Sequence, residues 1–105
     1  MTTLNTLFKT IEARRNAEPS SSHTAKLLSK GPAKCAEKFG EEAVEAIVAC
    51  ATDDRENLVY EAGDVVYHLM VMLAARGIDW SEVEGELARR AGISGIAEKA
   101  SRTTQ

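Results

Sequence analysis

Glu41, Glu42 and Glu45 crowd into five consecutive positions, and Glu61 and Asp64 follow after a gap. Residues three or four apart on a helix are surface neighbours, so Glu42 and Glu45 can address one point and Glu61 and Asp64 another. Asn57, Glu61, Asp64 and His68 fall on one narrow stripe at about 100° per residue. That stripe runs into Val65–Ala75, which is apolar nearly all round apart from His68. Acids entering such a segment meet a desolvation cost unless something offsets it. Lys34, Lys38, Glu41 and Glu45 share a second stripe about 60° wide, with Glu42 at its margin. Converging carboxylates repel, and a hard divalent cation with oxygen ligands removes that repulsion. Mg²⁺ is the usual choice where phosphates complete its shell. The competing reading is a solvated acidic face on which Lys34 and Lys38 pair with the acids.

Other chemistries find less support. A di-iron bundle wants Glu-x-x-His on each of two helices. Here Asp64 and His68 are four apart and stand alone. A His-Glu-x-x-His run, a P-loop and a Gly-x-Gly-x-x-Gly run are absent, and no nucleophilic triad is supported. Cys35 and Cys50 are 15 positions apart. On one helix that separates them by roughly 22 Å, too far to pair. Two such cysteines cannot make a zinc site, and they read as small buried apolar side chains.

The elements that must position the acids are helices. Leu4, Leu7, Phe8 and Ile11 recur at helical spacing and predict a helix near 3–17. Pro19 and the serines at 20–22 stop it. A short helix follows over 24–30, and Gly31-Pro32 opens a long one over 32–52. On that helix Phe39, Ala43, Ala46, Ile47 and Cys50 share one arc. Asp53 or Asp54 caps the next, which runs to about Arg76 and stops at Gly77. Ser81 and Glu84 are spaced as a capping box for a last helix ending near Ala91. Residues 92–105 read as a loosely packed tail with a short helical piece. The whole chain, 1–105, reads as one all-α domain built on a long antiparallel helix pair joined by a very short turn. Glu45 lies eight residues before Asp53 and Glu61 eight after it. Both are therefore roughly 12 Å from the turn, at one level of the pair.

Composition bounds the rest. The chain has 105 residues, 44% hydrophobic and 28% charged, as an ordinary globular protein does. Aromatics make up only 5%, too few for an all-β sandwich. A core this small would gain from association with a second copy. Net charge is −3, which argues against general nucleic-acid binding. The Val65–Ala75 run is too short to span a bilayer, and no secretory leader is visible, so a cytoplasmic location is expected.

The Lys38-Phe39-Gly40-Glu41-Glu42-Ala43-Val44-Glu45 run, followed by Glu61-Ala62-Gly63-Asp64, resembles the Glu-Glu-x-x-Glu…Glu-x-x-Asp signature of the all-α nucleoside triphosphate pyrophosphatases, the MazG-like superfamily. Ser22-His23-Thr24-Ala25-Lys26-Leu27-Leu28, Gly31-Pro32 and Asp64-Val65-Val66-Tyr67-His68-Leu69 narrow the resemblance to the phosphoribosyl-ATP pyrophosphatase family, over about residues 4–90. His23 departs from the Tyr often found there. The resemblance implies Mg²⁺-dependent hydrolysis of the α–β anhydride of phosphoribosyl-ATP, the second step of histidine biosynthesis, by a homodimer. It implies Glu42, Glu45, Glu61 and Asp64 as metal ligands, with Glu41 orienting the attacking water. Since the substrate is a polyanion, Lys38 is expected at the reacting phosphates, with Lys26, Lys30, Lys34 and His23 binding substrate. Two other readings stand beside it: a housekeeping pyrophosphatase acting on free nucleoside triphosphates, and a helical dimer that binds a nucleotide or partner without turnover.

Overall fold

The computed structural model describes residues 2–91. Five helices follow in order: α1 (Thr3–Ala13), α2 (His23–Ser29), α3 (Pro32–Ala51), α4 (Arg55–Ala75) and α5 (Trp80–Arg90). Among the described residues there is no strand. The expected tail over 92–105 lies outside them.

Local chemistry sets the boundaries. Side chains of Thr2, Ser22 and Asp54 accept the backbone N–H groups of Asn5, Ala25 and Asn57, so α1, α2 and α4 begin with satisfied donors. Pro32 opens α3 behind Gly31, whose φ of 92° is open to glycine at little cost. Gly77, at φ 72°, ends α4 in the same way. Only Thr52, Asp53 and Asp54 join α3 to α4, and Asp53 takes φ 56°, a region short polar side chains tolerate.

Two boundaries differ from expectation. Helix α1 stops at Ala13 rather than near 17, because no apolar residue after Ile11 continues its buried stripe. Arg15 instead reaches across to donate to the Ala74 carbonyl at 2.6 Å, pinning the end of α1 to the end of α4. The capping box of α5 is Asp79 with Glu82, not Ser81 with Glu84. The Asp79 side chain accepts the Ser81 N–H at 3.0 Å, and Glu82 accepts the Asp79 N–H at 2.9 Å. Starting the helix this early seats Trp80 in the core.

Phe8, Ile11, Leu27, Cys35, Met70, Val71, Ala74 and Trp80 form that core. They come from α1, α2, the start of α3, the end of α4 and the start of α5. Helices α3 and α4 make the most extensive helix–helix contact in the chain. Their contact continues past the core, but little else covers them there. The buried residues of α3 are Cys35, Glu42 and Ala49, seven apart. Phe39, Ala43 and Ala46 are half-buried beside that line, whereas Ile47 is 65% exposed and Cys50 is exposed. The expectation that Ile47 and Cys50 point inward is corrected. The α4 contact sets the buried line, and an apolar residue on the other face has nothing among the described residues to bury against.

By length and composition alone, α4 would be long enough and apolar enough to cross a bilayer, which the Val65–Ala75 run alone did not suggest. Here it is the central core helix. Met70, Val71 and Ala74 fill the interior, and about two turns apart α4 also buries Glu61 and His68.

Candidate metal centre and the clefts beside it

Glu42 comes from the buried line of α3, Glu45 from one turn later, and Glu61 from the facing surface of α4. Oxygen atoms of these three carboxylates all lie within 4.8 Å of one another. Glu42 and Glu61 are buried, and Glu45 closes the cluster from its exposed side. Burying acids against other acids is unfavourable, and Glu61 registers the cost. Its carboxyl is pushed up to about 7, first by desolvation, then by a hydrogen bond shared with Glu45 and by the charges of Glu45, Glu42 and Asp64. Glu61 Oε2 is buried with no hydrogen-bond partner. An orphaned buried carboxylate oxygen facing two more carboxylates is the donor set a hard dication takes: oxygen only, high negative charge and a lone pair free. The residues present therefore fit a divalent ion.

Asp64, one turn beyond Glu61, is half-buried and stands beside the triad rather than within it. Its charge acts on both Glu61 and His68. Glu41 lies outside the triad and is exposed. Lys38 Nζ bridges the two neighbouring acids, 3.5 Å from Glu41 Oε2 and 3.6 Å from Glu42 Oε1. Those partners, Glu41 foremost, raise the Lys38 ammonium above its ordinary range. Lys38 thus pairs with acids as the solvated-face reading expects, and one of those acids belongs to the buried cluster.

The remaining candidates divide between two clefts. Lys30, Lys34 and Lys38 line an open groove of about 510 Å³ with Leu27, Glu37 and Glu41. Lys34 is paired with Glu37 at 3.2 Å. His23 and Lys26 line a different cleft of about 530 Å³, together with Pro19 and the serines at 20–22. The carboxylate triad lines neither. The groove reaches it through Lys38, and the second cleft approaches it through a cluster of rings.

That ring cluster was missed by pattern reading. His23 lies near-parallel to Tyr67, with centroids 6.4 Å apart, and His68 meets both rings edge-on, at 6.4 and 5.0 Å. Tyr67 and Thr24 share a hydroxyl–hydroxyl hydrogen bond of 2.5 Å that ties α2 to α4. His68 is buried, and burial holds it below the ordinary imidazole range, opposed by the charges of Glu42 and Asp64 and assisted by those of Lys38 and His23. The one signal in the sequence was Tyr67-His68 directly after the acid stripe, with no indication of which helix would face it.

Comparison with known proteins agrees with this geometry. The phosphoribosyl-ATP pyrophosphohydrolase family model matches residues 4–91. A Rhodobacter capsulatus protein named phosphoribosyl-ATP pyrophosphatase is 68% identical over 102 residues, covering 97% of this chain and 99% of that one. Its namesake from Dinoroseobacter shibae is 64% identical, covering 97% and 100%. A third, from Paracoccus denitrificans, is 62% identical over 101 residues, covering 96% and 94%. With a match that spans the acid cluster, both clefts and all five helices, the chain belongs to the phosphoribosyl-ATP pyrophosphohydrolase family.

Proposed function

We propose that this protein hydrolyses phosphoribosyl-ATP to phosphoribosyl-AMP and pyrophosphate, a step of histidine biosynthesis, with Mg²⁺ held by Glu42, Glu45 and Glu61 and completed by Asp64. The observation that carries the metal is the three-carboxylate cluster with its unpartnered Glu61 oxygen. Family membership carries the substrate.

Phosphoryl transfer asks the protein mainly for positioning and charge neutralisation. The bound cation supplies positive charge that polarises the anhydride oxygens and eases deprotonation of water. Water attacks one phosphorus of the α–β anhydride, the bond from that phosphorus to the bridging oxygen breaks, and pyrophosphate departs. Glu41, exposed at the mouth and steadied by Lys38, takes the water proton. Lys38 sits where a phosphate oxygen can replace one of its carboxylate partners. His68 and Tyr67 close the inner wall.

The working unit in this proposal is a homodimer of single-domain chains, each built on α3 and α4 as an antiparallel pair. The short turn and the meeting of Glu45 with Glu61, equidistant from it, support that pairing. Val44, Ile47 and Val48 on α3 and Val59 and Tyr60 on α4 are more than half exposed. A second copy would cover an apolar surface of this kind.

The test is a substrate panel with Mg²⁺ and pyrophosphate detection: phosphoribosyl-ATP against ATP, dUTP and dCTP. Preference for phosphoribosyl-ATP is expected. Preference for a free triphosphate moves the protein to the housekeeping reading, and turnover of none moves it to the binding reading.

A further inference from the structure

Two clefts adjoin the acid cluster, and in each one lysine, Lys30 in the groove and Lys26 in the other, has no carboxylate partner among the described residues. In the groove, Lys34 is paired with Glu37, and Lys38 with Glu41 and Glu42. In the second cleft, Lys26 is exposed and has no carboxylate partner among the described residues. Ser21 donates its hydroxyl to the Glu18 carbonyl, and Ser22 accepts the Ala25 N–H, so both are committed to the backbone. The polar groups left to face a ligand there are Ser20, His23 and Lys26. A hydroxyl, an imidazole and an unpaired ammonium are donors suited to a phosphate monoester.

The order of these features along the surface matters. Lys38 touches Glu42, so the groove begins at the metal-binding carboxylates. His68 follows Asp64 by one turn of α4, and His23 lies edge-on to His68 at 6.4 Å. The groove thus adjoins the acid cluster through Lys38, the second cleft adjoins the rings through His23, and α2 lies along both clefts, with Lys30 in the first and Lys26 in the second. A substrate cleaved at the acid cluster can place one of its parts in each cleft. Phosphoribosyl-ATP carries phosphate at both extremities, the triphosphate tail and the phosphoribosyl group, whereas ATP carries it at one.

We infer that the two clefts divide the substrate at the scissile bond: the groove of Lys30, Lys34 and Lys38 receives the departing pyrophosphate, and Ser20, His23 and Lys26 hold the phosphoribosyl phosphate of the retained nucleotide. The inference rests on the proposed function and adds to it the residues that distinguish phosphoribosyl-ATP from ATP. The rings of Tyr67 and His68 lie along the path of the retained part.

Product inhibition separates the two ends. Pyrophosphate and phosphoribosyl-AMP are titrated as inhibitors of phosphoribosyl-ATP hydrolysis by the full chain with Mg²⁺. His23→Ala/Lys26→Ala weakens inhibition by phosphoribosyl-AMP about tenfold or more, as loss of a charge-assisted contact implies, and leaves inhibition by pyrophosphate within about twofold. Lys30→Ala/Lys34→Ala does the reverse. All four side chains are exposed, so the variants keep the core intact. If each pair weakens both inhibitors alike, or the pattern is inverted, the division of the substrate is overturned while the proposed function stands. A parent protein that does not hydrolyse phosphoribosyl-ATP overturns both.

Discussion

Glu61 and Glu86 are both carboxylates on helices, and their surroundings send them in opposite directions. Glu86 on α5 is gripped by two arginines of its own helix: Arg89 Nη2 at 2.7 Å and Arg90 Nε at 3.0 Å from its Oε1. Those hydrogen bonds pull its carboxyl down to about 2. Glu61 is packed among Glu42, Glu45 and Asp64, and burial with that company pushes it up to about 7. The first carboxylate is completed by the chain itself. The second is held in a state the chain alone leaves unfavourable, and a dication reverses the sign of its environment. Charge satisfaction thus separates an acid that the chain completes from the acid proposed to hold a metal, where residue type and helix position do not.

The widest gap between the two should appear in catalysis. Glu61→Gln is expected to reduce Mg²⁺-dependent pyrophosphate release more than about a hundredfold, beyond the 10–100-fold typical of groups that merely support a ligand. Glu86→Gln should leave the rate unchanged. Equal losses in a steady-state assay would erase the distinction.

Metal binding should separate them next. If Mg²⁺ at about 100 times its Kd engages only the folded chain, it adds about 2.7 kcal/mol of stability. That corresponds to an increase of roughly 10–20 °C in Tm for a domain of this size. Thermal melts with and without EDTA should show the increase in the parent and in Glu86→Gln, and should show little of it in Glu61→Gln. An undiminished increase in Glu61→Gln would place the ion elsewhere.

The pH dependence of metal-free stability should carry opposite slopes. Glu61 is raised from 4.5 to about 7, so the folded state holds a proton that the unfolded state has released. Its contribution is most favourable below pH 4.5 and is lost as pH rises to about 7. Glu86 is lowered from 4.5 to about 2, so its contribution is complete above 4.5 and disappears as pH falls towards 2. Urea midpoints against pH should lose the first slope in Glu61→Gln and the second in Glu86→Gln. A parallel pair of profiles would contradict the opposed environments.

The smallest effect concerns the frame rather than the acids. Arg15→Ala removes the 2.6 Å bond to the Ala74 carbonyl that joins α1 to the end of α4. A cost of about 1 kcal/mol is expected from urea unfolding, with catalysis unaffected.

Much of this arrangement was legible along the chain. Apolar spacing, breakers and caps together located the five helices among the described residues, and Gly31-Pro32 and Gly77 marked two of their boundaries. The coincidence of Glu45 and Glu61 followed from counting residues outward from the short turn. Other features were not legible. Ile47 has the spacing of a core residue and is exposed, because helical periodicity defines a stripe but not which stripe meets a neighbour. Glu42 lay at the edge of its predicted stripe yet is the most buried acid of α3. The α5 capping box was displaced by two residues because Asp79 and Ser81 are both competent caps, and seating Trp80 favours the first.

Residue order by itself determined the helices, the short turn between the two long ones and the pairing of acids one turn apart, since these depend on interactions within a few residues. Only the tertiary structure decided which carboxylates share a site and which lysines open onto which cleft. It also decided that a histidine, a tyrosine and a second histidine from two helices form one wall. Those outcomes depend on the rotation of one helix against another. A helix of fixed sequence can present any of its faces, and packing against its neighbours selects among them.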